Sequence, residues 1–589
     1  MTQHKNNSPI LLFDFEHLRS TDGMVFTNPT QVIEAHRVDE VRQALQKVDE
    51  LVQAGFYAAG FVAYEAAPAF DPALQVHTTS HCPLLWFGIF KQPASPRPKP
   101  HGDYRLGDWT PSIGEQTYKN DIHSIRSAIE RGETYQVNYT MRLHTPFHGD
   151  SLALYESLRA TQQAPFAAYV NTGDNQFVSM SPELFFQVEH GKITTRPMKG
   201  TIPRGRWLEE DHVQRDRLRS SVKDQAENVM IVDLLRNDLS RIARPGSVRV
   251  KQLFDIEQYP TVFQLTSTIE ADVQGHSSLD SIFTALFPCG SITGAPKVST
   301  MDLISQLERE PRGVYCGTIG YIEPNGRATF NVAIRTIQVR EANGTAMYGT
   351  GGGITWDSTA DGEYREAWTK AQALTTGWRP FKLLETIRCE HGQYHLLDRH
   401  ISRLRASAQY FSFPCDESQI VKDLRHHAKA LPHSSSHRVR LLVSRKGDIH
   451  VESSPISEAV GTSQPVVLAR NPIDSSNPFL YHKTTHRDVY DVHRKMFPRV
   501  FDVLLWNERG ELTEFTIGNL VLEIGTEKWT PARESGLLAG TFRDELIESG
   551  MLRERRLALD DLRQADQVWL INSVRGWVKV HLVDAKSAQ

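Results

Sequence analysis

Cysteine is scarce in this sequence, and none of it forms a metal-binding or redox motif. The 589 residues include only five cysteines, scattered without a Cys-x-x-Cys pair: Cys82, Cys289, Cys316, Cys389 and Cys415. An odd, unclustered set excludes a disulfide framework or a zinc site of the usual spacing and is typical of reduced intracellular thiols. No cysteine lies in a Gly-x-Cys-x-Gly elbow, so the sequence offers no nucleophilic cysteine of that kind.

Long hydrophobic runs and a strong net charge are also missing. No stretch approaches the roughly 18 apolar residues that a membrane helix requires. The N-terminus, MTQHKNNSPILLFDF, has too short an apolar run and no small-residue cleavage site for a signal peptide. The formal net charge of −4 gives no sign of a nucleic-acid or acidic-membrane binder. We therefore expect a cytoplasmic protein without nucleic-acid or membrane partners.

What is present is the composition of an ordinary globular protein, with 40% hydrophobic and 23% charged residues. At roughly 150 residues per domain, the length corresponds to about four domain-sized units. Both halves mix helical periodicity, as in 222–243, with strand-like runs, as in 327–339. The segment TTGWRPFK (375–382) separates an Ala-rich helical stretch from a strand-like start. The sequence thus predicts an α+β protein with domains at 1–376 and 377–589.

Three segments of the first half carry unusual chemistry. FPCGSITGAPKVSTMDLI (287–304) is a Gly/Ser/Thr loop before an apolar-periodic segment, and such a loop can present backbone N–H groups to an anion. Glu363 and Glu366 share one helix face and, with Glu227, could bind Mg²⁺, although such acids are usually solvated. Lys199, in RPMKGTIPRG, is either a surface charge or a desolvated nucleophile.

Seven motifs in one order connect these segments. They are SMSPELFF, RPMKGTIPRG, AENVMIVDLLRNDLSRIA, FPCGSITGAPK, YCGTIGYI, NVAIRTI and GTGGGITWDS…EYREAW. The series closely resembles the chorismate-utilising enzymes, and among them component I of aminodeoxychorismate synthase, over residues 8–376. The resemblance implies stacked antiparallel sheets flanked by helices, with the active site between them.

The resemblance also implies a role for each site residue. Mg²⁺ would bridge Glu227 and Glu366 to the ring carboxylate of chorismate, with Glu363 assisting through water. Glu183 would be the general acid that helps the 4-hydroxyl leave. Arg335 and Tyr321 would hold the enolpyruvyl carboxylate. Backbone amides would complete the anion cradle at Gly290, Ser291, Thr293, Gly351, Gly352 and Gly353.

Two positions separate members of this family. Enzymes that add water to chorismate resemble one another in having a lysine where this chain has Gln136, and anthranilate synthases have alanine where it has Lys199. Lysine at 199 is the aminodeoxychorismate synthase pattern and implies that Lys199 attacks C2 before ammonia adds at C4. Related enzymes often have histidine at Gln264, so we assign no acid–base role to Gln264.

The second half contains a different set of motifs. These are LLETI…LLDRHISRLRASAQYF, YHKTTHRDVYD, GELTEFTIGNLVL, SGLLAGTFRDEL and VWLINSVRGWVKV. In order they resemble the fold-type IV pyridoxal phosphate enzymes over residues 381–583, which implies an aminotransferase-like α/β domain. Stand-alone relatives carry another N-terminal strand before LLETI. Either the fusion supplies that missing edge or this half is trimmed.

This second resemblance implies a cofactor site. Lys483 would form the Schiff base with pyridoxal 5′-phosphate, and Glu514 would pair with the pyridine nitrogen. Arg403, Gly540 and Thr541 would bind the phosphate. Further contacts would come from Asn519, Asn572 and Ser573.

The fusion narrows the expected function. The product of an aminodeoxychorismate synthase is the substrate of 4-amino-4-deoxychorismate lyase, so the two halves would make 4-aminobenzoate, the folate precursor. A separate glutamine amidotransferase chain would supply ammonia. The alternative is an anthranilate synthase component fused to an aminotransferase or to a non-catalytic module of the same fold.

Overall fold

A computed structural model describes residues 8–18, 23–78, 82–273, 278–372, 378–456 and 463–584. The chain divides into two compact units. The first contains residues 1–203 and 215–378, and the second contains residues 204–214 and 379–589. The linker predicted at 375–382 begins outside the described residues, which resume at Trp378.

Two ten-stranded antiparallel sheets build the first unit. Their strands are β1 (Ile10–Phe15), β2 (Met24–Thr27), β3 (Gln31–Ala35), β4 (Tyr57–Val62), β5 (Leu85–Phe90), β6 (Tyr104–Leu106), β7 (Thr110–Pro111), β8 (Gln136–Gly149), β9 (Phe166–Asn171), β10 (Gln176–Ser181), β11 (Leu184–Glu189), β12 (Lys192–Arg196), β13 (Met198–Pro203), β14 (Arg249–Gln258), β15 (Val262–Asp272), β16 (Gly294–Ala295), β17 (Thr318–Ile322), β18 (Ala328–Val332), β19 (Thr336–Arg340) and β20 (Thr345–Ile354).

One sheet has the order β16-β8-β20-β19-β10-β9-β1-β2, with β6 and β7 beside β8. The other has the order β13-β15-β12-β11-β18-β17-β4-β5-β3, with β14 beside β15. The helices are α1 (Val38–Gln53), α2 (Glu115–Glu130), α3 (Ser151–Gln162), α4 (Leu208–Arg219), α5 (Val222–Ser240), α6 (Leu279–Leu286), α7 (Lys297–Leu307) and α8 (Ala360–Gln372).

Alternation along the strands creates a layered fold. In β1, Leu11 and Phe13 enter a core that also contains Phe61 and Trp86 of the other sheet, whereas Leu12 faces the opposite side. Successive strand residues point to opposite faces, so each sheet buries one face against the other sheet and one against helices. This arrangement confirms the predicted stack of antiparallel sheets flanked by helices.

The strand-like run 327–339 is not one strand. It forms β18 and β19, which belong to different sheets. The chain changes sheets at Arg335, whose φ of 51° lies in the left-handed region that non-glycine residues rarely adopt. The crossing therefore places one arginine at the junction of the two sheets.

The second unit combines a four-stranded antiparallel sheet with a mixed eight-stranded sheet, of order β22-β21-β23-β24 and β27-β26-β25-β32-β31-β28-β29-β30. Its strands are β21 (Leu383–Glu390), β22 (Gln393–Tyr394), β23 (His437–Val443), β24 (Ile449–Pro455), β25 (Gln464–Leu468), β26 (Asp502–Trp506), β27 (Leu512–Phe515), β28 (Asn519–Ile524), β29 (Glu527–Pro531), β30 (Arg553–Arg555), β31 (Gln567–Asn572) and β32 (Gly576–Leu582).

Five helices accompany these sheets in the described part of the second unit: α9 (Leu397–Phe411), α10 (Glu417–Lys429), α11 (Asp488–Met496), α12 (Thr541–Glu548) and α13 (Asp561–Gln564). The mixture of helices with parallel and antiparallel strand pairs agrees with the expected α/β class. In the described residues of the whole chain, no helix is long and apolar enough to span a membrane.

Residues 204–214 belong to the second unit, although the sequence analysis placed them in the first domain. Trp207 is 9% exposed and packs in a core with Leu480 and Tyr481, its ring centroid 4.9 Å from that of Tyr481. The hydroxyl of Tyr410 donates to the carbonyl of Gly205 at 2.7 Å. The core of the second unit is therefore completed by a segment that lies far upstream in the sequence.

This packing predicts that Trp207→Ala destabilises the second unit by about 3–5 kcal/mol, because removing a buried tryptophan leaves a cavity. Hydrogen exchange followed by mass spectrometry should show faster exchange in β25 and β26 than in wild type. The matched control is Trp356→Ala, since Trp356 is 49% exposed and its removal should leave these strands protected. Unchanged exchange in the Trp207 variant would contradict the assignment of this segment.

Candidate active sites

A polar cavity of about 220 Å³ lies in the first unit. It is bordered by β13, the end of β20, and helices α5 and α8. Most of the residues singled out in the sequence line it, namely Glu183, Lys199, Glu227, Ser291, Arg335, Gly351, Gly352, Gly353, Glu363 and Glu366. Residues from distant parts of the sequence are thus brought to one place.

Lys199 and Glu183 both line this cavity, and both have shifted pKa values. Burial lowers the pKa of Lys199, although the carboxylates of Glu227 and Glu183 oppose that shift. Burial also raises the pKa of Glu183 to about 7, and one of its carboxyl oxygens has no hydrogen-bond partner. A lysine that loses its proton easily can act as a nucleophile, and a carboxyl group that keeps its proton can act as an acid.

Three carboxylates line the same cavity. Burial raises the pKa values of Glu227 and Glu363, and the charge of Glu366 adds to both shifts. Lys370 lies 2.7 Å from Glu366 and lowers the pKa of that residue, and Lys223 lies 3.9 Å from Glu227. Three carboxylates in one cavity supply the oxygen ligands that Mg²⁺ prefers.

Arg335 faces this cavity without an anionic partner. None of the described carboxylates lies within 4 Å of it, and burial lowers its pKa. A desolvated guanidinium without a counter-ion is unfavourable unless a ligand supplies one. Its placement at the crossing of the two sheets therefore indicates an anion-binding residue.

Three predicted residues do not line the cavity. Tyr321 is fully buried between the two sheets, and its hydroxyl lies 2.8 Å from Nε2 of His17. Thr293 is also fully buried, and its hydroxyl donates to the carbonyl of Cys289. A Cβ at Gly290 would overlap Leu234 of α5. Thr293 and Gly290 therefore shape the loop that presents Ser291.

The cavity is also lined by residues that the sequence did not single out. Tyr315 and Tyr348 line it together with Arg335, and Lys370 lies beside Glu366. An aromatic hydroxyl near Arg335 was expected from Tyr321, which does not line the cavity, whereas Tyr315 does. YCGTIGYI contains both Tyr315 and Tyr321, and periodicity alone does not distinguish the one that reaches the cavity.

Two buried glutamines lie at the same site. Gln264 is 5% exposed and lines the cavity, while Gln136 is 1% exposed. The amide oxygen of each has no hydrogen-bond partner. A Cβ at Gly353 would overlap the amide of Gln136 and lie 3.0 Å from Nζ of Lys199. Gly353 therefore permits the close approach of Gln136 to the nucleophile.

A second cavity, of about 460 Å³, lies in the second unit. Every cofactor-site residue predicted there lines it: Arg403, Lys483, Glu514, Asn519, Gly540, Thr541, Asn572 and Ser573. Burial lowers the pKa of Lys483 to about 8, assisted by the charge of Arg403. This pKa makes the ε-amine available to a carbonyl near neutral pH.

Glu514 is 4% exposed, and burial raises its pKa to about 8. It accepts hydrogen bonds from the hydroxyl of Tyr490 at 2.8 Å and from the backbone of Leu538 at 3.1 Å. Arg403 is held by Glu385 through contacts of 2.9 and 2.6 Å. Gly540 is the N-cap of α12. The first N–H groups of this helix form the positive end of its dipole, which favours an anion there.

Comparison with known proteins agrees with this geometry. The model of the chorismate binding enzyme family matches residues 8–376, more than half of the chain. The chain belongs to this family. A model of the class IV amino-transferases matches residues 382–583. This chorismate binding enzyme therefore carries a C-terminal class IV aminotransferase domain.

Among curated relatives, aminodeoxychorismate synthase component 1 of Klebsiella aerogenes is 40% identical over 266 residues, covering 45% of this chain and 58% of the relative. Anthranilate synthase component 1 of Streptomyces coelicolor is 37% identical over 279 residues, covering 47% of this chain and 54% of the relative. The chain thus matches less than two thirds of either relative.

Among solved structures, anthranilate synthase component I from Streptococcus pneumoniae is 26% identical, with a TM-score of 0.52. The superposition covers 64% of this chain and 95% of that structure. This likeness supports the two-sheet architecture of the first unit, which this chorismate binding enzyme shares with that synthase component.

The unpaired Arg335 generates a prediction about stability. Arg335→Met should raise the unfolding free energy of the ligand-free protein by about 1 kcal/mol, because it removes a partly buried charge that has no carboxylate partner among the described residues. The same change should abolish chorismate binding. Thermal unfolding and calorimetric titration with chorismate measure the two effects. Arg236→Met is the control, because Arg236 forms a surface pair with Asp233 and neither quantity should change.

Proposed function

We propose that this protein makes 4-aminobenzoate from chorismate in two steps. The first unit converts chorismate and ammonia to 4-amino-4-deoxychorismate. The second unit then eliminates pyruvate from that intermediate. The observation that carries the proposal is the environment of Lys199. This lysine has a lowered pKa and lines one cavity with the carboxyl group of Glu183 and the guanidinium group of Arg335.

In the first step, the amine of Lys199 bonds to C2 of the ring as the 4-hydroxyl departs. Glu183 donates the proton that converts the leaving group to water. Ammonia then adds at C4, and the bond between C2 and Lys199 breaks. Arg335 binds one substrate carboxylate by charge-assisted hydrogen bonds and holds the ring in register with Lys199.

The carboxylate set fits Mg²⁺ in this step. Among the described residues, no group of three acidic, histidine or cysteine side chains is arranged to hold a metal without help. Mg²⁺ commonly takes one or two protein carboxylates and completes its shell with substrate and water. Glu227 and Glu366 would hold the ion, with Glu363 nearby, and the ion would neutralise the substrate carboxylate.

The second cavity fits pyridoxal 5′-phosphate. Lys483 would provide the amine for the aldehyde, Glu514 would pair with the pyridine nitrogen, and Arg403 and the start of α12 would bind the phosphate. When bound, the cofactor supplies an electron sink. Lys483 takes the proton from C4 of the substrate, the enolpyruvyl group leaves as pyruvate, and the ring becomes aromatic.

We propose that ammonia is supplied by a glutamine amidotransferase on another chain. Glutamine hydrolysis requires a thiolate nucleophile. All five cysteines are free, and four of them are buried. Burial raises the pKa of every one of these thiols. The first unit would therefore work alone at high ammonia and with its partner at low ammonia.

Two alternatives are less well supported. An anthranilate synthase activity is consistent with the Streptomyces relative, but Lys199 stands where the anthranilate pattern has alanine. A non-catalytic second unit is disfavoured because Lys483, Glu514 and Arg403 all line one cavity. Inert modules have no need to keep a desolvated lysine beside a buried acid.

Paired lysine variants test the two steps separately. Supplied with chorismate, ammonia and Mg²⁺, Lys483→Ala should consume chorismate, accumulate 4-amino-4-deoxychorismate and release no pyruvate. The Lys199→Ala variant should not consume chorismate. Chromatography with mass detection identifies the products. Undiminished formation of 4-aminobenzoate by the Lys483 variant would refute the lyase step, and anthranilate as the wild-type product would refute the synthase step.

The pKa of Glu183 predicts a pH dependence. Because the acid must be protonated, kcat/KM for chorismate should fall as pH rises through about 7. This fall is the alkaline limb of the pH profile. The concentration of free ammonia is held constant at each pH by varying total ammonium, so that the limb is not caused by the titration of ammonia. Glu183→Gln should lower the rate by about 10²–10⁴ and remove the limb. The surface variant Glu189→Gln should retain it, and persistence of the limb in Glu183→Gln would exclude Glu183 as its source.

A further inference from the structure

The second cavity contains more positive charge than its cofactor uses. Five arginines and Lys483 line it, and among its described lining residues Glu514 is the only acid. A cofactor phosphate accounts for Arg403. The other four arginines are Arg438, Arg440, Arg487 and Arg575.

These four arginines differ in how far the protein already satisfies them. Arg440 contacts Glu452 at 2.5 Å. Arg487 donates to the carbonyl of Thr516 at 2.5 Å and stacks over Tyr490. In the part of the chain that the structure describes, neither Arg438 nor Arg575 has a carboxylate within 4 Å. Both side chains are exposed, and Arg575 lies over the ring of Phe501 at 5.8 Å. Their guanidinium groups are therefore accessible to an anionic ligand.

Arg438 is placed by the register of the four-stranded sheet. It lies opposite Arg388 of β21 and Ser454 of β24, and Arg440 lies opposite Thr386. Alternate residues of a strand share one face, and Thr386, Arg438, Arg440 and Ser454 all line the cavity. This face of the sheet thus presents two guanidinium groups side by side.

Arg575 is placed by the turn between β31 and β32. The side-chain oxygen of Asn572 accepts from the backbone N–H groups of Val574 at 3.1 Å and Arg575 at 2.8 Å. Arg388 donates to the carbonyl of Val574 at 3.2 Å. These bonds connect the turn to β21, so Arg575 is presented to the cavity by an ordered backbone.

We propose that Arg438 and Arg575 form a subsite that binds the two carboxylates of a dianionic substrate, with Arg440 beside them. The inference rests on the proposed function, because 4-amino-4-deoxychorismate carries two carboxylates. In an α-amino acid one carboxylate is attached to the carbon that bears the amine, whereas neither carboxylate of 4-amino-4-deoxychorismate is. Two guanidinium groups without a carboxylate partner therefore favour such a dicarboxylate over a monocarboxylate of similar shape.

Chorismate is a suitable probe, because it has both carboxylates but no amine that could replace Lys483. In the absence of ammonia and Mg²⁺, chorismate and 4-hydroxybenzoate are titrated into the full-length protein loaded with pyridoxal phosphate. The visible absorbance of the bound cofactor reports binding at the second cavity alone. We expect chorismate to bind at least about tenfold more tightly than the monocarboxylate.

Arg438→Gln and Arg575→Gln should each weaken chorismate binding about tenfold and leave 4-hydroxybenzoate binding within about threefold of wild type. The chorismate affinity of Arg438→Lys should lie between those of wild type and Arg438→Gln. Lysine keeps the positive charge but loses the paired N–H donors of the guanidinium group. Arg563→Gln is the matched control, since Arg563 is a surface residue of the same unit that pairs with Asp560. The cofactor spectrum without probe shows that each variant is folded.

Kinetics with supplied 4-amino-4-deoxychorismate complete the test. The two glutamine variants should raise KM and leave kcat largely unchanged, as expected for lost substrate binding. Equal affinities for chorismate and 4-hydroxybenzoate, or unchanged affinity in both variants, would overturn the subsite. Failure of the wild-type protein to make 4-aminobenzoate, with the preference for chorismate intact, would overturn the proposed function and leave the dicarboxylate subsite standing.

Discussion

A buried ion cluster behind the first cavity holds the frame on which the site depends. Glu308 is 4% exposed and accepts hydrogen bonds from Arg142 at 2.9 Å and from Arg312 at 2.6 Å. Arg312 also donates to the carbonyls of Ile292 and Asn138, both at 2.8 Å. Because both of those residues line the cavity, the cluster connects the loop and the strand that form its wall. Removing one member would leave an uncompensated buried charge, which is strongly destabilising.

Satisfied and unsatisfied charges occur together in both units. Behind the first cavity, Glu308 is saturated, whereas Arg335 faces the cavity without a carboxylate partner among the described residues. In the second unit, Glu385 is saturated by Arg403 and by His400 at 2.7 Å, whereas Arg438 has no described carboxylate within 4 Å. Arg403 and Glu366 line their cavities although each already has a partner inside the protein. The charges without a partner are therefore the ones for which a ligand would supply the counter-ion.

Motifs identified most of the residues that line the two cavities, and tertiary structure decided which residue of a motif reaches a cavity. Lys199, Glu183 and the three glutamates were found from the sequence, because their motifs are specific. Tyr321 was chosen from YCGTIGYI, but it packs between the sheets. A strand places alternate side chains on opposite faces, and sequence alone does not state which face becomes a cavity.

The sequence by itself determined the two families, the reactive lysines and the mixed helix-and-strand class, because these depend on residue types in a fixed order. Only the tertiary structure decided that residues 204–214 complete the core of the second unit, since no local signal marks Trp207 as a partner of Tyr481. It alone also split the run 327–339 between two sheets and placed Arg335 at the crossing. Periodicity records how a segment is buried, whereas the partner that buries it is set by contacts between residues hundreds of positions apart.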